Sequence, residues 1–422
     1  MTTISRNYDA IVVGGGPAGA TVSTLLAQNG RKVVVLEKEK FPRYHVGESL
    51  IPYCYFPLER IGMLEKMNQM GFVRKQSVQF VATDGKLSQP FYFVDHSDHP
   101  SSVTWQVDRA TFDTMMLDNA REKGVQVHEE TKVKNFVTDQ ANRVIGVTAE
   151  DKAGTALEFK APITIDCTGQ DGLALKRNGW RIPEKVLKKT AVWTYFKGSK
   201  RAEGRDEGAT TIAYLPAKGW FWHIPLANDL VSVGAVADKE YLFGETRDLE
   251  TIIFREIEKN PWIKDKLECG EQCHGFHAAS DYSYRSKHIA KDGLVLAGDA
   301  FSFLDPVFSS GVFLALTTGA AAADAVEACY ADGNFSADRF EDYGQYCRNA
   351  LEAMRKIVYA FYDLDFNFKS LIQKYPHLHA DLTDCLIGNV FKDFDMLFQA
   401  LREFMHVPED LAHGRPLEPA GV

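Results

Sequence analysis

"YDAIVVGGGPAGATVSTLLAQNGRKVVVLEKE", Tyr8 to Glu39, is the stretch that decides the fold. A short apolar run, Tyr8 to Val13, meets three glycines; a helical stretch from Ala18 to Asn29 follows, then a second apolar run from Lys32 to Glu37. Strand, turn, helix and strand within about 30 residues make a βαβ unit. Gly14-Gly15-Gly16-Pro17-Ala18-Gly19 satisfies G-x-G-x-x-G at the turn. Gly14 allows the tight turn, Gly16 lets the backbone reach a pyrophosphate, and Gly19 brings helix and strand close. Pro17 and Ala18 open a helix whose unpaired N–H groups face the phosphates. Glu37 closes the second strand, where a carboxylate accepts hydrogen bonds from an adenosine ribose. Lys38 and Arg43, just beyond it, are assigned to the same dinucleotide site.

Outward from this unit the pattern alternates. A helix is expected from Asp108 to Lys123, hairpin strands at Thr131 to Val137 and Val144 to Thr148, and a strand at Ile163 to Asp166. Between about Thr190 and Val236, segments rich in Val, Tyr, Trp and Thr predict a second, mostly antiparallel sheet. Within it lies "GWFWHIP", Gly219 to Pro225. On a strand, Trp220 and Trp222 point to one face. After a strand at Leu294 to Leu296 the chain reads as helical from Gly311 almost to its end.

The bulk numbers exclude several function classes. A chain of 422 residues with 45% hydrophobic content supports two interleaved domains rather than a stapled scaffold. A net charge of −9, with no dense Lys/Arg block, excludes a nucleic-acid partner. Seven scattered cysteines fit reduced thiols in the cytoplasm. Cys269, Cys273 and His274 lack a second ligand pair, so no metal is expected. The amino terminus shows no secretion leader, and no run of about 18 apolar residues is seen, so no transmembrane segment is expected.

The choice of dinucleotide is made far downstream. "LVLAGDA", Leu294 to Ala300, is a strand ending in Gly298 and Asp299, and such an aspartate can accept from a ribityl chain while the next helix points its amino terminus at the flavin ring. With Glu37, Arg109 in "VDRATFD" and "DCTGQDG" from Asp166 to Gly172, the chain resembles FAD-dependent oxidoreductases of the aromatic hydroxylase type. That resemblance implies a Rossmann-like FAD-binding domain (1–70, 101–180 and 275–330), interleaved with an antiparallel-sheet substrate domain (71–100 and 181–274) and followed by a helical region (331–422).

Three segments narrow the resemblance. "HVGESLIP", His45 to Pro52, looks like the Gly-Glu-Ser turn of flavin-dependent halogenases; "GWFWHIP" matches their W-x-W-x-I-P; "DPVFSSGV", Asp305 to Val312, matches their loop beside the flavin. Together they resemble the phenol and pyrrole branch. The resemblance implies that Trp220 and Trp222 wall the substrate off from the flavin, a task suited to rings with little rotamer freedom. It assigns Glu48, Ser49, Asp305, Gly311 and Val312 to the cofactor site, and backbone amides at Ser310 and Gly311 to chloride or bromide, since a buried anion needs N–H donors. Reduced FAD, oxygen and halide give hypohalous acid, and the family holds that acid on a lysine away from the flavin. Lys75 in "GFVRKQSVQF" takes this role, with Phe80 matching the tail and Ser77 standing where glycine is usual. Burial would lower its pKa. The competing reading is a solvated lysine beside Arg74.

Departures also inform. The tryptophan-specific members carry glutamate where this chain has Phe308, which argues against free tryptophan as substrate. Asp305 resembles a position joined covalently to flavin in some halogenases; the alternative is that it caps its loop. With no second glycine fingerprint, reduced FAD is expected from a separate flavin reductase. Aromatics at helical spacing from Asp338 to Phe368 predict a helix packed on the sheet, or a lid continuing through Phe391 to Phe404. A groove there could receive a carrier protein, with Arg348, Arg355, Lys356 and Lys369 as its cations. The leading function is therefore halogenation of an electron-rich phenol or pyrrole, free or carrier-bound. Competing with it are an FAD-dependent reductase, dehydrogenase or monooxygenase of the geranylgeranyl-reductase type, and a non-catalytic flavin or carrier-protein binder.

Overall fold

The computed structural model describes residues 4–216, 219–280 and 282–418. At its centre is a sheet ordered Ala290–Lys291, Leu294–Leu296, Ile163–Asp166, Ala10–Val13, Val33–Leu36 and Gln126–His128. The last five run parallel; the edge strand Ala290–Lys291 is antiparallel. Ala10–Val13, Val33–Leu36 and Ile163–Asp166 are buried throughout, as a sheet covered on both faces requires. The helices Pro17–Gln28 and Arg109–Glu122 pack together, and Asp108 caps the second by accepting from Thr111 N at 2.8 Å. The predicted hairpin forms as Thr131–Thr138 with Val144–Asp151.

A second sheet runs Glu271–Ser280, Lys189–Lys197, Leu230–Asp238, Trp220–Pro225, Thr210–Tyr214, Ser77–Val81 and Phe91–Tyr92. It is antiparallel except where Thr210–Tyr214 pairs in parallel with Ser77–Val81. The period of two does its work at the tryptophans. Trp220, Trp222 and Ile224 join the main core, whereas Phe221 turns to the opposite face and packs with Ile252 and Ile263 from the helices Leu249–Ile257 and Pro261–Leu267.

The helix Ser310–Cys329 is long and apolar enough to cross a membrane by length and composition, but it is mostly buried and packs on Pro17–Gln28, as a core helix does, so it leaves the sequence reading standing. One expectation needs correction. The aromatic run after Asp338 is not one helix: Glu341–Tyr362 stops, and Phe368–Lys374 starts anew. Local polar groups cause the break. Asp363 accepts from Asp365 N at 3.0 Å and Asn367 from Ser370 N at 2.9 Å, competing with helical bonds.

Gly234 sits between Trp193 and Trp222 on the neighbouring strands, and a Cβ there would fall 2.2 Å from Trp222 Cζ2 and 2.6 Å from Trp193 Cβ. Gly234→Ala is expected to cost about 1–3 kcal/mol by overpacking and to change the tryptophan emission. A thermal melt and spectrum identical to wild type would contradict this packing.

Candidate active site

The carboxyl ends of the parallel strands open on a cleft of about 920 Å³. Gly14, Gly16, Pro17 and Ala18 line it. Gly14 has φ +102°, and a Cβ on it would lie 2.4 Å from Cys167 O, so only glycine serves there. Gly19 lies behind the cleft surface, where its missing Cβ would fall 1.9 Å from Gly14 O; it brings helix and turn together. Glu37 Oε2 accepts from Gly15 N at 2.7 Å and Oε1 from Glu39 N at 2.8 Å, which pins the glycine turn. Lys38 and Arg43 line the same end.

Arg109 also lines the cleft while gripping its walls. Its guanidinium meets Asp113 at 2.8 and 3.0 Å and donates to Val46 O at 2.8 Å and Gly47 O at 3.2 Å, fixing the turn that carries Glu48 and Ser49. Asp299 faces the cleft, and burial pushes its carboxyl up to about 7 against the pull of Arg109. Gly298 does not line the cleft; its N–H donates to Thr318 Oγ1 at 2.8 Å. This cradle suits a dinucleotide. It is a long cleft with a glycine turn no side chain can fill at Gly14, a helix amino terminus behind it, and an acid at the second strand's end. The residues present therefore fit FAD.

At the other end, Ser309 adopts φ +55° and turns the chain into Ser310–Cys329. Gly311 and Val312 line the cleft, and Ser310 is buried just behind it. The amides of this first turn have no acceptors within the helix. Asp305 is not at the cleft surface. It caps its loop by accepting from Val307 N at 2.9 Å, and burial pushes its carboxyl up to about 7.

Trp220 and Trp222 both line the cleft, their rings 6.1 Å apart. Each indole is tied down. Trp220 Nε1 donates to Tyr362 O–H at 2.8 Å, and that hydroxyl donates to Asp305 at 3.2 Å. Trp222 Nε1 donates to Ser232 Oγ at 3.0 Å, beside Glu48. Glu48 in turn accepts from Tyr195 O–H at 2.6 Å, and burial raises its pKa. Sequence reasoning missed Tyr362, Ser232 and Tyr195, whose partners lie far away along the chain.

Lys75 lies elsewhere. It lines a second, mostly aromatic chamber of about 230 Å³ with Phe80, Phe93, Phe308 and Phe361. Its side chain is 1% exposed, and Nζ donates to Ser49 Oγ at 2.9 Å and Leu50 O at 3.0 Å. Burial lowers its pKa to about 7. Thr210, Ile212, Val307 and Ser309 line both spaces and form the partition. Ser49 belongs to the partition too: it faces the cleft, accepts from Lys75 and bonds Thr210 Oγ1 at 2.8 Å. The postulated carrier-docking cations fare unequally. Arg348, Arg355 and Lys356 are buried and ion-paired; of the four, only Lys369 is exposed. Phe391 stacks on Tyr346 at 4.1 Å and Phe404 packs on Phe366, so neither closes over the chamber.

Fold and cleft define an FAD-dependent oxidoreductase. The family model described as tryptophan halogenase matches residues 9–97 and 81–371. The chain is 29% identical to a 1H-pyrrole-2-carbonyl-[peptidyl-carrier protein] chlorinase of Pseudomonas fluorescens, over 97% of this chain and 96% of that protein. It is 34% identical to the flavin-dependent halogenase armH3 of Armillaria mellea, over 77% of this chain and 68% of that protein. The solved structure of the flavin-dependent brominase Bmp2 superposes with a TM-score of 0.86 at 27% identity, covering 94% of this chain and 99% of that one. The chain belongs to the flavin-dependent halogenases, which use FAD and a halide.

The lowered pKa of Lys75 has a sign that can be checked. Its folded value, about 7, lies below the unfolded value of about 10.4. The unfolded chain therefore binds the extra proton between these values, and stability rises with pH across that window; below about 7 the full penalty of the buried charge is present. Lys75→Met is expected to stabilise most at pH 6–7, by about 3–5 kcal/mol at the upper bound, with the gain shrinking towards pH 10. A pH-independent difference in denaturant melts would contradict a desolvated amine.

Proposed function

We propose that this halogenase acts on an electron-rich pyrrole or phenol, presented as an acyl group on a carrier protein, and that Lys75 is the residue through which halogen reaches the ring. The observation that carries this reading is the buried amine of Lys75 in a small aromatic chamber, one partition away from the dinucleotide cleft. When bound, reduced FAD supplies with oxygen the oxidising equivalent that turns halide into hypohalous acid.

The proposed roles follow from position. Gly14, Gly16, Pro17, Ala18 and Gly19 form the phosphate turn, with Glu37, Lys38 and Arg43 at the adenosine end. Glu48, Ser49 and Arg109 shape the middle of the cleft and Asp299, Gly311 and Val312 its flavin end, with Gly298 and Asp305 holding the loops behind that end. Amides at Ser310 and Gly311 take the halide, because a helix amino terminus offers unpaired donors to an anion. Trp220 and Trp222 occupy the space an aromatic substrate would need to approach the flavin. Lys75 Nζ, about half neutral at pH 7, can accept a hydrogen bond from hypohalous acid, or its lone pair can take the halogen as the O–halogen bond breaks, the hydroxide leaving as water with an N–H proton. Ser49 Oγ and Leu50 O hold the amine in place meanwhile. The enzyme is proposed to be cytoplasmic and to receive reduced FAD from a separate flavin reductase. Residues 1–70, 101–180 and 275–330 are proposed to form the FAD-binding domain, 71–100 and 181–274 the substrate sheet, and 331–422 a carboxyl-terminal helical region.

Carrier presentation is supported by the pyrrole-2-carbonyl carrier-protein chlorinase, which aligns over nearly its whole length. The test supplies FAD, a flavin reductase, NADH, bromide and pyrrole-2-carbonyl carrier protein, and follows product by mass spectrometry. Brominated pyrrole is expected, with at least a hundredfold loss in Lys75→Ala while oxygen consumption continues. Equal bromination by Lys75→Ala, or oxygen consumption with no halogenated product from wild type, would overturn the reading.

A further inference from the structure

The chamber that holds Lys75 has a second end. Its inner walls are aromatic and aliphatic, but Lys369 and His379 also line it, and both are exposed. They come from separate helices, Phe368–Lys374 and His379–Ile387, that converge on this space. The other lysines of the carboxyl-terminal region are ion-paired: Lys356 with Asp410 at 2.6 Å, Lys374 with Glu403 at 2.6 Å, and Lys392 with Asp381 at 2.8 Å. Among the described residues Lys369 Nζ has no hydrogen-bond or ion-pair partner, and the ring nitrogens of His379 make no hydrogen bond. The His379 ring instead sits 6.3 Å from that of Phe91, another lining residue.

An unpaired lysine on an outer surface is ordinary, but one on the lining of an apolar chamber adds a specific charge to a site that otherwise selects only shape. We infer that Lys369 and His379 form an anion subsite at the outer end of the substrate chamber, which holds a negatively charged group on an aromatic substrate whose ring lies at the Lys75 end. The anion is either the carboxylate of a free aromatic acid or the phosphodiester of a carrier's pantetheine arm; the two share the chemistry of an oxyanion accepting charge-assisted hydrogen bonds. The subsite rests on the proposed halogenase reading for its substrate and deepens it by naming what reads the substrate's far end.

Calorimetry on the oxidised FAD-loaded enzyme, which cannot turn over, tests this with three probes: pyrrole-2-carboxylate, the pyrrole-2-carbonyl thioester of phosphopantetheine, and neutral 2-methylpyrrole. Lys369→Ala and Lys369→Glu are expected to weaken binding of an anionic probe about tenfold or more and to leave 2-methylpyrrole unchanged, with Lys369→Arg restoring affinity. Loss confined to the acid assigns the subsite to a carboxylate; loss confined to the phosphorylated thioester assigns it to the carrier arm; loss of both supports a general anion site. Anionic probes that bind wild type and both variants equally, or a neutral probe that weakens as much as they do, would overturn the subsite. Because binding is read without catalysis, failure of the halogenase reading would appear separately, as absence of halogenated product from the wild-type enzyme.

Discussion

A protonated amine in an apolar chamber is costly, and here a buried lysine with no counter-ion stands on a partition. Lys75 Nζ donates to Ser49 Oγ and Leu50 O, and Ser49 itself faces the dinucleotide cleft. The Ser49 hydroxyl thus stands, with Thr210, Ile212, Val307 and Ser309, between the space that suits FAD and the space that suits an aromatic ring. No carboxylate neutralises the amine, so desolvation lowers its pKa to about 7 instead. A paired lysine would be fully charged and a poor acceptor; an unpaired, dry one is basic and nucleophilic near neutral pH.

The rest of the architecture keeps that partition rigid. Arg109 clamps the Val46–Gly47 backbone that carries Ser49, and Gln106 Nε2 donates to Thr210 Oγ1 at 2.8 Å, steadying the hydroxyl that Ser49 meets. The tryptophan pair that lines the cleft is anchored at both indole nitrogens. Through Tyr362 and Asp305 one anchor reaches the loop that opens Ser310–Cys329, so tryptophan, loop and carboxyl-terminal helix share one hydrogen-bonded line. Such over-determined geometry holds the cleft and the chamber in one arrangement.

The sequence made plain those parts of the fold whose causes are local. The βαβ opening was readable because turn, helix start and terminal acid fall within Tyr8 to Glu37, and the shared face of Trp220 and Trp222 because strand periodicity needs only two residues. The chamber was not readable from any segment: its walls come from Ile51, Phe80, Ile212, Phe308, Phe361 and Leu386. Tyr362 stood in an aromatic run that resembled ordinary core, and its bond to Trp220 spans 142 positions. The break after Tyr362 was hidden because Asp363 and Asn367 act through side-chain bonds that periodicity does not register. The burial of Arg348, Arg355 and Lys356 likewise depends on residues such as Gly414, Glu409 and Asp410, beyond the helix that carries them.

The state of one ammonium group decides the chemistry of the chamber, and direct titration of Lys75 tests it most sharply. With 13C-labelled lysine and Lys75→Arg used for assignment, the Lys75 Cε resonance followed by NMR from pH 5 to 11 should move with a midpoint near 7, set apart from the remaining lysines. A midpoint near 10, in the crowd of solvated lysines, would mean that the chamber is wet and that Lys75 is an ordinary cation.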